Sequence, residues 1–481
     1  MTESSTNTAD IDAGAVASSG NPGSPRTGAT NRKAVVRKAV LEGPILSTLL
    51  RLSLPTLIVL LAQTAVNIAE AYYVGFLGTT ALAGVALVFP VFMLMMTMSA
   101  GGLGSGVGSA VARAVGAGRQ EDADALVLHA IVLAVIVGAV FTIGILWGGP
   151  LLYRALGGRN AALDAAVEYS NNLFAASIAV WIVNLLAAAL RGSGNVKVPA
   201  TVTLIGALVM IPASPILIFG FGPIPRLGIG GAGLAFAIYY GAAALVLLRY
   251  MMSGRSGLTL KFVRLEGRLF ASILKVGAPA ALNTVQTNLT VILVTGAVGL
   301  FGTSALAGYG IASRLDYVMI PILFGLSSGV LTMVGINIGA GQVERAKQIA
   351  WVSVAVGVGL TETIGLIVAL WPLSWLHLFS HDPTVLTPAI TYLHIVAPAY
   401  GLLGFGFVIS FAAQGAGHVL WPYLGSTLRM VIAAGFGLIA VKFLGAGMPG
   451  LATIVAASLA AYTVVTAIAM TSKKVWSPNH S

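Results

Sequence analysis

A glutamate inside an apolar stretch is the first residue whose chemistry stands out. Gln63, Asn67 and Glu70 are separated by four and three positions in an otherwise apolar segment. On an α-helix this spacing places the three side chains on one face. Burying an ionised side chain in a bilayer costs about 2.5–3.5 kcal/mol on insertion scales. The stripe is therefore predicted to face the protein interior, and Glu70 is a candidate cation-binding residue.

Four more ionisable residues fall in apolar stretches. Asp316 follows Arg314 by two positions, so the two side chains do not face each other on a helix. Asp316 is predicted to be either a second protonation or substrate-cation site or one half of a structural ion pair. Glu362 and Arg429 lie in two further apolar stretches and are a candidate structural charge pair, because charges inside a membrane usually pair.

A second polar face resembles the first but has no acid. Asn283, Thr287 and Thr290 are spaced four and three positions apart. This face is predicted to line a wetted cavity or, equally, to make interhelical hydrogen bonds of about 0.6 kcal/mol each. Further polar side chains are predicted to line the same cavity: Gln63, Asn67, Tyr73, Ser214 and Gln286.

The segments that carry these residues belong to a duplicated chain. The stretch from Gly78 to Gly84 recurs in the second half, with one substitution, from Gly302 to Gly308. At the same offset Glu70 corresponds to Val294, so repeat symmetry does not require the acid. Six apolar segments make one unit, and because six is even both copies cross the membrane in the same sense. This parallel repeat is typical of many secondary transporters.

The composition places the whole chain in a membrane. Hydrophobic residues make up 57% and charged residues 9% of the 481 positions, and the apolar runs have the length of transmembrane helices. The predicted fold is an all-α membrane protein with twelve transmembrane helices in two six-helix lobes related by a parallel internal repeat. The spans are predicted near 46–75, 83–106, 125–147, 166–190, 199–220, 229–250, 270–299, 305–334, 348–373, 388–412, 420–443 and 449–470.

The basic residues predict topology and not a nucleic-acid partner. The net charge is +11, but most Lys and Arg residues fall in the loops of one side, which the positive-inside rule assigns to the cytoplasm. We expect a multi-pass protein of the cell membrane with both termini cytoplasmic. Its predicted parts are a disordered tail (1–44), a first lobe (45–250), a basic connector (251–269), a second lobe (270–472) and a second tail (473–481).

Enzyme and metal chemistry find little support in the sequence. The chain contains no cysteine, which excludes disulfides and thiolate metal sites, and no His-Glu-x-x-His zinc motif. A short Gly-x-Ser-Gly match at Gly254 lies in the connector with no histidine nearby in sequence. We expect a monomer that is not an enzyme and that has no metal or cofactor.

Several motifs together resemble one transporter family. They are Pro55, Glu70-Ala71-Tyr72-Tyr73-Val74-Gly75, Val111-Ala112-Arg113-Ala114-Val115-Gly116-Ala117-Gly118, Leu190-Arg191-Gly192-Ser193-Gly194, Val334-Gly335-Ile336-Asn337-Ile338-Gly339-Ala340-Gly341 and Gln414-Gly415-Ala416-Gly417. In order and in both halves they are similar to the multidrug and toxic compound extrusion (MATE) transporters. The resemblance implies two bundles in a V, with helices 1 and 7 crossing between lobes. It also implies an alternating-access exporter of amphipathic, often cationic compounds, driven by inward flow of protons or sodium.

The resemblance also bears on the coupling ion. In the family an aspartate of helix 1 binds the cation, and Glu70 stands in its place. The expected partners of a sodium ion are missing, since Met210, Ser214 and Phe236 occupy their positions. A proton needs only one carboxylate, and burial disfavours the charged form of that carboxylate. Proton antiport is therefore the preferred interpretation. The alternatives are a sodium-coupled drug antiporter and a lipid-linked oligosaccharide flippase of the same superfamily, which would favour a more basic cavity.

Overall fold

The computed structural model describes residues 37–476 as an all-α protein. Eleven helices are long and apolar enough to cross a membrane. Asn160–Ala175 and Ser177–Gly192 meet at 48° and pass the same test as a pair. The described residues therefore contain up to twelve spans, which confirms the predicted all-α membrane fold.

The helices are numbered in chain order, with the bent pair counted as one. They are α1 Ile45–Gly75, α2 Thr79–Gly116, α3 Gln120–Ala155, α4 Asn160–Ala175 with Ser177–Gly192, α5 Lys197–Phe219, α6 Gly228–Met252, α7 Gly267–Gly299, α8 Thr303–Gly339, α9 Val343–Leu370, α10 Pro383–Ala416, α11 Leu420–Phe443 and α12 Met448–Thr471.

Repeated glycines adopt the same backbone conformation in both halves. Gly78 before α2 has φ 100° and Gly302 before α8 has φ 101°. Gly194 after α4 and Gly417 after α10 have φ 84° and 87°. These left-handed values favour glycine because a Cβ atom would be strained there. The duplication seen in the sequence is thus reproduced in the turns that orient the helices.

Two separate apolar cores define the two lobes, and α1 and α7 contribute to both. Leu49 and Leu52, near the start of α1, are buried in the core formed by the second half of the chain. Leu269 and Ile273, near the start of α7, are buried in the core of the first half. Each lobe is therefore completed by a segment from the other half, as the family resemblance implied.

The lobes meet closely where Gly104–Gly116 of α2 crosses Arg314–Gly339 of α8. A Cβ atom on Gly116 would lie 2.1 Å from the carbonyl oxygen of Ile336. A Cβ atom on Gly339 would lie 2.2 Å from the carbonyl oxygen of Arg113. We call these four residues, Arg113, Gly116, Ile336 and Gly339, the interlobe crossing. Glycine is needed at positions 116 and 339 because the two backbones are in direct contact there.

The other halves of the same two helices pack within their own lobes. Thr79–Thr97 of α2 packs mainly on Asn160–Ala175 of α4, and Thr303–Ala312 of α8 packs on Pro383–Val396 of α10. Contacts between the lobes are therefore concentrated at the end of the molecule that carries the interlobe crossing.

A short helix at residues 37–42 lies across that same end. Arg37 Nη2 donates to the carbonyl oxygen of Gly116 in the first lobe at 3.0 Å. In the second lobe, Asn337 Nδ2 and Arg345 Nε donate to the carbonyl oxygen of Val40 at 3.4 and 3.3 Å, and Arg345 also donates to the carbonyl oxygen of Gly43. We call residues 37–43 the strap, because they bridge both lobes.

The strap corrects part of the predicted N-terminal tail. Residues 1–36 lie outside the described residues, but 37–42 are helical and Val40 is buried. At the other end, Trp476 of the predicted tail 473–481 is buried and donates through Nε1 to the carbonyl oxygen of Met470 at 2.9 Å. Residues 477–481 lie outside the described residues. Each predicted tail thus includes residues that pack against the lobes.

The connector is held to α3 by a buried acid. Asp124 accepts hydrogen bonds from the main-chain N–H and the hydroxyl of Thr259 at 3.0 and 2.8 Å. It also pairs with Lys261 Nζ at 3.1 Å. His129 Nε2 accepts the N–H of Glu266 at 2.9 Å. These contacts fix the start of α7 against the first lobe.

Asp124→Ala is expected to loosen the connector. Hydrogen bonds to a charged group contribute about 1.5–3 kcal/mol each, so their loss should speed local opening by about tenfold or more. The check is a time course of tryptic cleavage after Arg255 and Lys261 in the purified full-length protein. Asp164→Ala, which removes an exposed acid from α4, is the matched control. Equal cleavage rates in the two variants would contradict the anchoring role.

Candidate functional site

Glu70 lies in the protein interior, where α1 contacts α5. Its side chain is buried, and Oε2 accepts a hydrogen bond from Ser214 Oγ of α5 at 2.8 Å. Tyr169 of α4 is close enough to interact electrostatically with the carboxyl group. Oε1 is buried and has no hydrogen-bond partner among the residues that the structure describes. The structure thus brings two of the predicted residues, Glu70 and Ser214, into direct contact.

The surroundings of Glu70 supply few oxygen ligands. Met210 and Phe236 are buried in the first-lobe core, and Phe236 packs edge-on against Phe92 with ring centroids 5.5 Å apart. Within residues 37–476 no group of three His, Cys, Asp or Glu side chains is placed to hold a metal ion. One acid with one hydroxyl donor and one unpaired oxygen can bind a proton, whereas a metal cation prefers a cage of several oxygens.

The remaining first-lobe residues extend this polar face along α1. Gln63 and Asn67 are on the same helix one to two turns before Glu70, and Tyr73 is half-buried one turn after it. Ile68, on another side of the helix, is 66% exposed. The acid end of the stripe is therefore turned away from the most exposed face of α1.

The polar face of α7 is partly occupied by hydrogen bonds within the protein. Gln286 Nε2 donates to Thr427 Oγ1 of α11 at 2.8 Å. Thr287 and Thr290 donate to main-chain carbonyls one turn earlier in α7, at 2.9 and 2.7 Å. The amide oxygens of Asn283 and Gln286 are buried and have no hydrogen-bond partner in the described part of the chain. Two buried acceptors on this face are therefore unpaired among the described residues.

Asp316 is in a second polar cluster, formed by α8, α10 and α11. It interacts electrostatically with Tyr400 and with Arg429. Arg314 is turned elsewhere, with its guanidinium carbon 5.1 Å from the centre of the Phe379 ring. Neither Asp316 Oδ1 nor the Tyr400 hydroxyl has a partner within hydrogen-bond distance among the described residues. Asp316 is therefore near the guanidinium group of Arg429 but does not form a close ion pair with it.

Glu362 and Arg429, the candidate charge pair, are not brought together. Glu362 Oε2 accepts the main-chain N–H of Gly401 in α10 at 2.7 Å. The ion pairs found among the described residues do not include one between Glu362 and Arg429. Arg429 acts on Asp316 instead. The local break in α10 at residues 397–399 explains this, because it frees an N–H group for the carboxylate.

Arg113, which the sequence analysis counted among the basic residues of the cytoplasmic loops, links the two lobes. Arg113 of α2 donates through Nη1 to Ser109 Oγ, and Ser109 in turn donates to the carbonyl oxygen of Gln414 in α10. Arg113 Nη2 donates to Ser272 Oγ of α7 at 3.3 Å. The position that corresponds to Arg113 in the second repeat is Ile336. Comparison of the two repeats therefore could have identified Arg113, because only one lobe has a basic residue at this position.

The comparisons with known proteins agree with this architecture. The MatE family matches residues 55–216 and 279–439. A probable multidrug resistance protein of Bacillus subtilis is 30% identical over 72% of this chain and 76% of its own. An FAD transporter of Shewanella oneidensis is 28% identical over 78% of this chain and 83% of its own. A multidrug export protein of Staphylococcus aureus is 26% identical over 89% of this chain and 93% of its own.

Solved structures give the same fold. A multidrug resistance MATE family transporter in an outward-facing conformation is 24% identical, with a TM-score of 0.81 over 90% of this chain and 96% of that one. The family match covers both repeats, from α1 into α5 in the first half and from α7 into α11 in the second. Members of this family are transporters and not enzymes. The chain is therefore a multi-pass membrane transporter that belongs to the MATE family.

Proposed function

We propose that this transporter is a proton-coupled exporter of amphipathic or cationic small molecules, which it moves across the cell membrane as a monomer. The observation that carries the proposal is Glu70, a buried acid with a single hydroxyl partner and one unpaired oxygen. An acid in this setting exchanges a proton when the hydration of the cavity changes. The descriptions of the two multidrug relatives support the substrate class.

The proposed cycle alternates between two arrangements of the lobes. The end with the interlobe crossing, the strap and the connector carries most of the basic residues, which supports a cytoplasmic assignment for it and for both termini. Because the lobes meet closely at that end, we propose that this arrangement is the outward-facing one. Protonation of Glu70 from outside removes a charge from the first lobe and favours its repacking. Return of the proton to the cytoplasm then resets the transporter.

The proposed cycle treats the two predicted lobes as the bodies that move. The proposed moving bodies are the two lobes, predicted at 45–250 and 270–472, with the connector at 251–269 carried by the first lobe through Asp124. Asp316 is proposed as a second site that binds a proton or a substrate cation, because Arg429 is near it without closing an ion pair. Glu362 is proposed to be structural, because its carboxylate caps the N–H of Gly401.

The deciding experiment is drug-dependent ion flux in proteoliposomes under separately imposed proton and sodium gradients. Export driven by the proton gradient alone is the expected result. Export driven only by sodium would replace the proposal with the sodium-coupled alternative. Flux of a lipid-linked oligosaccharide that needs neither gradient would favour the flippase.

A further inference from the structure

The connector follows the first turns of α3 toward the membrane. The main-chain N–H of Thr259 bonds to Asp124 at 3.0 Å, and further along the chain the N–H of Glu266 bonds to His129 Nε2 at 2.9 Å. Asp124 and His129 are five positions apart on α3, which corresponds to about 7.5 Å along the helix axis. The connector therefore descends beside the apolar run that begins after Asp124.

The first apolar residues of this passage face inward. Leu258 is buried in the first-lobe core, and Leu260 packs against the same core. On α3, Leu126 and Val127 are buried as well. The start of the α3 apolar run is thus covered by protein where the connector passes it.

Between the contacts at Asp124 and His129, the side chains of the connector turn outward. Phe262 is 86% exposed, and Val263 and Leu265 are exposed too. Residues 259–266 form neither helix nor turn, and residues 262–265 are all exposed. We call residues 262–265 the exposed loop. Three apolar side chains on a segment pinned at both ends lack a covering among the described residues, and such a patch marks an interaction surface.

The exposed apolar surface continues on both sides of this loop. Met252, the last residue of α6, is exposed, and so is Leu274 of α7. Both helices are long and apolar enough to cross a membrane, so their exposed apolar side chains are covered by lipid. The exposed loop joins these two helices and lies beside the start of the α3 apolar run. Its surface is therefore continuous with a lipid-facing surface, which favours a bilayer over a protein partner.

Arg264 gives the exposed loop a free positive charge. Its side chain is exposed, and the ion pairs among the described residues do not include it. The acids that contact or belong to the connector already have basic partners, which are Lys261 for Asp124, and Arg268 for Asp122 and Glu266. A guanidinium matches the geometry of a phosphate group and binds it strongly. The charge of the loop thus complements an anionic headgroup.

We propose that the exposed loop is a binding surface for anionic phospholipid, with Phe262 inserted at the membrane surface and Arg264 bonded to the lipid phosphate. An aromatic side chain beside a basic one is typical of segments that lie in the membrane interface. In the proposed orientation of the chain, the lipid belongs to the cytoplasmic leaflet. The inference goes beyond the export function and is independent of the coupling ion and of the exported compound.

A bound lipid would act on one lobe. Asp124 and His129 fix the loop to α3, and the loop leads directly into α7. Anionic lipid therefore holds this end of the first lobe at the membrane surface while the second lobe moves against it.

The test measures which lipid quenches a fluorophore on the exposed loop. The chain has no cysteine, so Leu265→Cys introduces a single labelling site. The labelled full-length protein is placed in nanodiscs of phosphatidylglycerol and phosphatidylcholine, in which one lipid or the other carries a nitroxide in its headgroup. The ratio of the two quenching curves gives the relative affinity of the loop for the anionic lipid. The readout needs no ion gradient and no substrate.

Three variants are compared in the labelled parent. Arg264→Gln removes the charge, and Arg264→Lys keeps the charge without the bidentate geometry. Arg159→Gln removes an exposed cation from the other end of α3 and is the matched control.

The labelled parent is expected to bind phosphatidylglycerol about fivefold more tightly than phosphatidylcholine, since each basic residue near an anionic surface adds about that factor. Arg264→Gln should bind both lipids equally while phosphatidylcholine still quenches the label, which shows that the loop remains at the bilayer. Arg264→Lys and Arg159→Gln should keep the preference.

Four outcomes would overturn the proposal. A label that neither lipid quenches would place the loop in water, where a protein partner could cover it. Equal affinity in the parent, or a preference that survives in Arg264→Gln, would remove the role of the charge. A preference that inorganic phosphate abolishes, and chloride of the same ionic strength does not, would show a site for free anions and not for lipid.

Discussion

Glu70→Gln is expected to reduce proton-driven export to the level of protein-free liposomes. The amide has the size of the acid and can still bond to Ser214, but it cannot release or take up a proton. Among the described residues the carboxylate of Glu70 is hydrogen-bonded to the Ser214 hydroxyl and to no second acid, so no bonded neighbour is placed to take over its role. The measurement is drug efflux from proteoliposomes under an imposed pH gradient, together with the proton flux that the drug induces.

The control for this substitution is Glu344→Gln, which neutralises an exposed acid on α9 whose side chain is 80% accessible. It should export at the wild-type rate. Wild-type export by Glu70→Gln would identify Glu70 as a structural acid that only joins α1 to α5. In that case Asp316 would become the leading candidate for the coupling site.

Gly116→Ala is expected to prevent closure at the interlobe crossing. The added methyl group would lie 2.1 Å from the carbonyl oxygen of Ile336, and a backbone atom cannot move away as a side chain can. The lobes should then separate at this end and approach each other at the opposite end. Export should fall close to zero, because the transporter is held in one arrangement.

The position of the lobes can be read from a pair of labels on this cysteine-free chain. Leu82→Cys and Leu306→Cys introduce label sites at repeat-related, exposed positions of α2 and α8. Their distance distribution should shift to shorter values in Gly116→Ala. Gly144→Ala, where a Cβ atom has no neighbour within 4 Å, is the matched control and should match the parent distances. Identical distances in all three proteins would show that the crossing tolerates the methyl group.

Local patterns predicted the helices but not the contacts between distant segments. The spans of α1 to α12 follow from runs of apolar residues, and the Gln63–Glu70 stripe follows from helical spacing. The strap was assigned to a disordered tail because residues 1–44 as a whole are rich in Ser, Thr, Gly, Asn and Ala and cannot bury much apolar area. Its order comes from main-chain carbonyls that accept bonds from Asn337 and Arg345, in the second half of the chain.

For the charged residues, too, the sequence predicted relations along one helix but not contacts between helices. Asp316 and Arg314 were predicted not to pair, and the helix geometry separates them. The candidate pair of Glu362 and Arg429 required knowledge of how α9 faces α11, which sequence spacing does not contain. The broken turn of α10 instead offers Glu362 a main-chain donor. Arg113 was counted as a loop cation, although comparison of the two repeats already distinguishes it from Ile336.

The exchange of α1 and α7 between the two cores has a consequence for biogenesis. The first bundle lacks Leu269 and Ile273 until the ribosome has made the start of α7, and the second bundle needs Leu49 and Leu52 from the earliest span. Neither half is therefore a self-sufficient folding unit. Cells that synthesise only one half should degrade it, whereas two fragments divided between Met252 and Gly267 should assemble into a working whole when produced together.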